Sequence, residues 1–285
     1  MKKNFKNSIL AFLFVLVAAP LAQADAVKEF SSPQQAVNAL SKALQSPDMS
    51  QSLGALFGSD NSDLWNSGDA VEDRRTKELF QKRLAEGQKI TYVDKKHAIL
   101  FAGLSGWSFP IPLERKGKNW IFDTKIGREE ILNRRVGANE LDAIQGAKDY
   151  VRAQKEYAAL NHGKYAGKFL SDAGQKNGLY WVSTGPQDQS PISVKVLEAK
   201  AEGYQGKPAQ GDALLYHGYY YRILKPRGKG FAMIAYPAKW NDSGVMTFQV
   251  NQEGQVLQKN LGKDSIQIAS TMKAYQVDSS WKNAN

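Results

Sequence analysis

Hydrophobic residues change period along this chain, and the changes predict its elements. Ser32, Pro33 and Gln35 carry the signals of a helix start. Val37, Leu40, Ala43 and Leu44 then recur on one helical face, and Pro47 ends the run. Leu53, Leu56 and Phe57 predict a further short helical turn, Gly58 to Asp63 a loop, and Asp73 to Glu86 a helix closed by Gly87. From Lys89 the period shortens. Ile90 and Tyr92, Ala98 to Ala102, Trp107 to Leu113 and Asn119 to Thr124 read as strands, with a hairpin turn at Lys116-Gly117-Lys118. Phe109-Pro110-Ile111-Pro112 belongs at a sheet edge or a bend, because proline donates nothing to a ladder.

The second half repeats the order of helix and then strands. Arg128 to Val136 predicts a short helix closed by Gly137, and Asn139 caps a longer one running to about Leu160. A glycine- and proline-rich stretch from Ser171 to Asp212 reads as loop. Four strand-like runs follow, Gly218 to Leu224, Gly230 to Pro237, Val245 to Asn251 and Gln255 to Lys259, joined by connections short enough to make them antiparallel. Asp264 to Tyr275 predicts a terminal helix. The expected fold is α+β: N-terminal helices with an antiparallel meander over 25–137, then a long helix on a four-stranded antiparallel sheet with a terminal helix over 138–285.

The first residues stand apart. Lys2, Lys3 and Lys6 precede an uncharged apolar run from Ile9 to Ala19, then Pro20 and Ala22-Gln23-Ala24, the pattern of a signal peptide cut after Ala24. The apolar run is shorter than the roughly 20 residues a membrane-spanning helix needs. The expected location is therefore periplasmic or secreted, with no stable membrane insertion after cleavage. The absence of cysteine excludes disulfides, thiolate metal sites and lipidation at the cut. The formal charge of +10 is spread along the chain among acids, which argues against nucleic acid as a partner and leaves weak attraction to an anionic surface open.

Candidate chemistry is sparse. The three histidines, His97, His162 and His217, lack metal-ligand spacing, and Ser105 in Gly103-Leu-Ser-Gly106 falls short of a nucleophile elbow. Asp123, Glu129 and Glu130 form an acidic cluster that an envelope hydrolase could use, although acids at a helix start also complement its dipole. Aromatic residues are the richer resource. Trp107, Trp120, Tyr219, Tyr221 and Trp240, with Arg222, are the candidates for an exposed patch recognising an envelope protein or a glycan. No cofactor and no metal are expected. The residues point to a non-catalytic binding or assembly module of the cell envelope.

Several motifs carry a resemblance: Trp107-Ser-Phe-Pro-Ile-Pro-Leu113, Trp120-Ile-Phe-Asp-Thr124, Gly127-Arg-Glu-Glu-Ile-Leu-Asn-Arg-Arg135, Asn139-Glu140, Gly178-Leu-Tyr-Trp181, Gly218-Tyr-Tyr-Tyr-Arg222 and Gly244-Val-Met-Thr-Phe248. Together they resemble the secreted bacterial domain-of-unknown-function family numbered twenty-nine fifty, over nearly the whole chain after Ala24. That resemblance implies no activity. The second half, from Tyr150 through Gly163-Lys-Tyr165 to Phe248-Gln-Val-Asn-Gln-Glu-Gly254, is also similar to the heads of type IV pilins and pseudopilins, without their leader or apolar stem. A soluble pilin-like structural subunit is the expectation that follows from that likeness.

Overall fold

The structure, a computed structural model, describes residues 27–66, 70–192 and 213–284. The leader over residues 1–24 and positions 193–212 of the glycine-rich stretch lie outside the described residues.

Local signals set the first elements. Ser32 accepts a hydrogen bond from the Gln35 amide at 3.3 Å and starts α1 (Pro33–Leu44), whose Val37, Leu40 and Leu44 are buried. Asp48 caps α2 (Met49–Phe57) in the same way, and a 3-10 turn over Ser59–Leu64 leads to α3 (Ala70–Glu86). The five strands that follow are β1 (Gln88–Tyr92), β2 (His97–Ala102), β3 (Trp107–Ser108), β4 (Leu113–Lys116) and β5 (Asn119–Phe122). They form an antiparallel sheet in the order β1-β2-β4-β5, with β3 also on β2. The prolines divide the predicted Trp107 to Leu113 strand. β3 lasts two residues, the chain bends through Phe109 to Pro112, and β4 resumes the ladder. Alternate residues Ala98, Leu100 and Ala102, with Leu113, Trp120 and Phe122, face the helices and bury against Leu40, Leu53 and Phe57.

Asp123 accepts from the Lys125 and Ile126 amides, both at 3.1 Å, and opens α4. This helix runs unbroken for 37 residues, Thr124–Leu160, about 55 Å at the usual rise. The expected stop at Gly137 is thus corrected. Gly137 is absent from the left-handed residues, and Asn139 spends its side chain on the carbonyl of Ser243 instead of capping a new helix. Glycine permits a helix to end; it does not require it.

The second sheet is a meander of six strands where four were expected. In spatial order it reads β11 (Lys282–Asn283), β10 (Leu257–Lys259), β9 (Thr247–Asn251), β8 (Ala232–Pro237), β7 (Tyr219–Leu224) and β6 (Leu214–Tyr216), each antiparallel to its neighbour. The added strands are short edges. The C-terminal part of α4 covers one face with Ala143, Ala147, Tyr150 and Tyr157, joined by Phe169, Leu179 and Trp181. The other face lies under α5 (Ser265–Thr271) and Tyr275, so the predicted helix to Tyr275 ends four residues early. Covered on both faces, β8 is buried at every position. Gln154, fully buried on α4, exchanges two bonds of 2.9 Å with the backbone of Ala166 and bonds the Tyr150 hydroxyl at 3.1 Å, which satisfies its amide. The chain is an α+β protein in which one helix belongs to both halves.

Candidate functional site

One stripe of α4 makes the connections. Arg128, Arg135, Asn139, Asp142 and Gly146 follow one another at seven, four, three and four residues, a spacing that keeps them on one side of a helix. Arg128 grips Asp63 with two bonds, Nε to Oδ2 at 2.6 Å and Nη2 to Oδ1 at 2.9 Å, and also bonds Asn61 at 2.7 Å. Seven residues on, Arg135 pairs with Asp242 in the β8–β9 loop and donates to its carbonyl at 3.2 Å. Asn139 donates to the Ser243 carbonyl at 2.8 Å. Glu140 accepts from both the Val245 and Met246 amides at 2.9 Å. Asp142 pairs with His217 in the β6–β7 turn, and Gly146 lets the Tyr221 ring lie within about a contact distance of the helix. The 3-10 turn of the first half and two loops of the second are all fastened to the same helix face.

A groove of about 570 Å³ runs along this seam. Asp63, Leu64 and Asn66 form one wall, Arg128, Ile131, Leu132 and Arg135 the floor, and Lys239 to Asp242 the other wall. Trp240 is half-buried there, its indole N–H donating to Asn260 at 3.1 Å. Asn241 takes a left-handed φ of 59°, which turns the loop back at the groove edge. Both carboxylates are held by arginine, and Lys239 adds a contact to Asp242 at 2.8 Å. The hydrogen bond from Arg128 holds the Asp63 carboxyl below the usual range, and Asp63 in turn raises Arg128. Asp63 is therefore ionised at neutral pH, the opposite of what a general acid needs.

Of the aromatic candidates, Trp240 alone lines this groove. Trp107 is half-buried between the guanidinium groups of Arg83 and Arg134, at 4.9 and 5.5 Å from its ring. Trp120 is buried, with Tyr92 edge-on at 5.7 Å. Tyr219 and Tyr221 are buried in the second core, where desolvation pushes their hydroxyls well above the usual range. Arg222 points to the opposite face and donates to the carbonyls of Ala269 and Met272, closing the end of α5. The expected patch of Trp107, Trp120, Tyr219, Tyr221, Arg222 and Trp240 is thus corrected: Trp107 and Trp120 belong to the first sheet, α4 covers Tyr219 and Tyr221, Arg222 lies under α5, and Trp240 stands apart in the β8–β9 loop.

The acidic cluster does not converge either. Asp123 caps α4, Glu130 pairs with Arg134 at 2.7 Å, and Glu129 is exposed on the helix. His97 opens β2, His162 and His217 sit in two different turns, and Ser105 lies in the exposed β2–β3 turn. Among the described residues no group of three or more His, Asp or Glu is placed to hold a metal ion, and no helix is long and apolar enough to cross a membrane. Nothing in the sequence pattern brings all of Asp63, Arg128, Arg135, Lys239 and Asp242 together. The seven-residue spacing of the two arginines is the signal that could have paired them.

Residues 27–284 match the model of a family described as "Protein of unknown function (DUF2950)". The chain belongs to this family. No curated protein and no solved structure matches it. In this DUF2950 member, several of its motif segments meet on or beside α4. Arg134 reaches Ser108, Gly127 abuts Ile111, Asn139 approaches Gly218, and Gly244 abuts Tyr219.

Proposed function

We propose that this DUF2950 protein is exported to the periplasm or beyond and works as a non-catalytic binding or assembly module of the cell envelope, with the Trp240 groove as its binding site. The leader pattern over Met1 to Ala24 supports export. The groove carries the binding reading. An indole face, two arginines held in place by carboxylates, and the amides of Asn66 and Asn241 converge on one concave surface. Such a set offers apolar stacking beside fixed donors and acceptors, which suits a glycan with its alternating C–H faces and hydroxyls.

The test is a titration of the exported protein with soluble peptidoglycan fragments, followed by calorimetry. Trp240→Ala is expected to weaken binding roughly tenfold or more, as loss of a central aromatic contact does, with the melting temperature little changed. Equal affinity of the variant and the parent would remove the groove as the site. Two other readings give different results in parallel measurements. A pilin-like structural subunit would form concentration-dependent oligomers on gel filtration, and a hydrolase built on Asp123, Glu129 and Glu130 would release fragments from intact cell wall.

A further inference from the structure

The far end of the first sheet carries a surface that the groove does not use. Its register places two hairpin turns side by side. Tyr92 pairs with Ala98 across the β1–β2 turn, and Lys116 pairs with Asn119 across the β4–β5 turn. β2 and β4 join them, with His97 opposite Glu114 and the Arg115 amide donating to Lys96 at 2.7 Å. Lys95, Lys96, Arg115, Lys116 and Lys118 are all exposed on this end.

Glu114 pairs with Lys116, and the other nearby acids are engaged elsewhere, which leaves Lys95, Lys96, Arg115 and Lys118 as the net positive charge of this end. Asp94 turns inward on its own loop, accepting from the Lys96 and His97 amides at 2.6 and 2.9 Å and contacting the His97 ring at 2.8 Å. Glu114 lies 3.7 Å from Lys116, and Glu29 is bonded to Asn119. Beside the lysines, Tyr92 is 60% and Val93 63% exposed. Trp120 steadies the Tyr92 ring from beneath. Protruding apolar side chains ringed by cations are the arrangement that lets a protein sit at a bilayer interface, with aromatic rings at headgroup level and lysines among anionic lipids. A soluble polyanion would use the cations and leave Tyr92 and Val93 without a role.

We propose that this twin-turn end docks on the surface of an anionic lipid bilayer, with Tyr92 and Val93 entering the headgroup layer. The experiment is co-sedimentation of the exported, leader-free protein with vesicles of phosphatidylglycerol and phosphatidylcholine in equal parts, against vesicles of phosphatidylcholine alone. Binding is expected to the anionic vesicles only and to fall as salt rises. Neutralising Lys95, Lys96 and Lys118 together to glutamine should lower the partition coefficient on the order of a hundredfold. Val93→Ser, which disturbs no packed residue, and Tyr92→Ser should each lower it severalfold while leaving the salt dependence in place. Three results would overturn the proposal: no binding to anionic vesicles, unchanged binding by the triple variant, or equal retention on soluble polyglutamate with both apolar variants behaving as the parent.

Discussion

Gly244→Ala is expected to lower the melting temperature by about 10 °C. A methyl group at this position would lie 2.1 Å from the hydroxyl oxygen of Tyr219 and 2.5 Å from its Cζ, well inside van der Waals contact. The tyrosine has nowhere to retreat. It is fully buried, its ring lies 5.8 Å from that of Phe248, and its hydroxyl donates to the Met246 carbonyl at 2.9 Å. Either the β8–β9 loop lifts or the ring turns and loses its hydrogen bond. Overpacking and one lost buried bond together come to about 3 kcal/mol, and a protein of this size loses roughly 2–4 °C for each kcal/mol. Tyr219→Phe in the same chain removes the closest atom but leaves Cζ in place. The double variant should recover part of the loss, and a thermal melt of all four proteins measures the coupling. A melt for Gly244→Ala equal to that of the parent would show that the loop does not lie against Tyr219.

Glu140→Ala should cost about 2–3 kcal/mol. One carboxylate oxygen accepts from two successive backbone amides, Val245 and Met246, just before β9 starts. Removing it leaves two half-buried donors without an acceptor, at roughly 1–3 kcal/mol for each that water fails to reach. Glu140→Gln keeps an acceptor oxygen and should lose less than half as much. Leu141→Ala is the control. Leu141 is 66% exposed on the neighbouring face and should change stability by no more than about 0.5 kcal/mol. Hydrogen exchange gives the local readout: the Val245 and Met246 amides should exchange faster in Glu140→Ala while Tyr219 to Leu224 stay protected. Because the same loop carries Trp240, this variant should also weaken ligand binding in the groove.

How much of this was legible depended on how local each signal is. Ser32 and Pro33 announce α1 within four residues, and the alternation from Ala98 to Ala102 announces β2, because caps and period-two burial are properties of adjacent positions. The edge strands β6 and β11 were missed because two or three residues carry no period, and only pairing with a distant neighbour makes them strands. Tyr219 and Tyr221 show why alternation misleads about exposure. It says that the two faces of a strand differ, and it cannot say that α4 covers the face carrying Tyr219 and Tyr221 while α5 covers the other. The groove lay deeper still. Arg128 and Asp63 are 65 residues apart, and Arg135 and Asp242 are 107 apart, so only the folded chain brings them together. Of that groove, the sequence offers only Trp240 as an aromatic candidate, because a single residue type is visible without knowing what it faces.

Helix α4 passes through Gly137 without a break and so holds both halves and the groove between them. Gly137→Ala tests it by sign. Nothing lies within 4 Å of where the new methyl group would sit. In a continuous helix the substitution should raise stability by about 0.5–1 kcal/mol, since glycine is a poor helix former. If Gly137 instead closed a short helix in the left-handed conformation, alanine would be strained there, and a loss of stability in denaturant unfolding would show that α4 breaks at this residue.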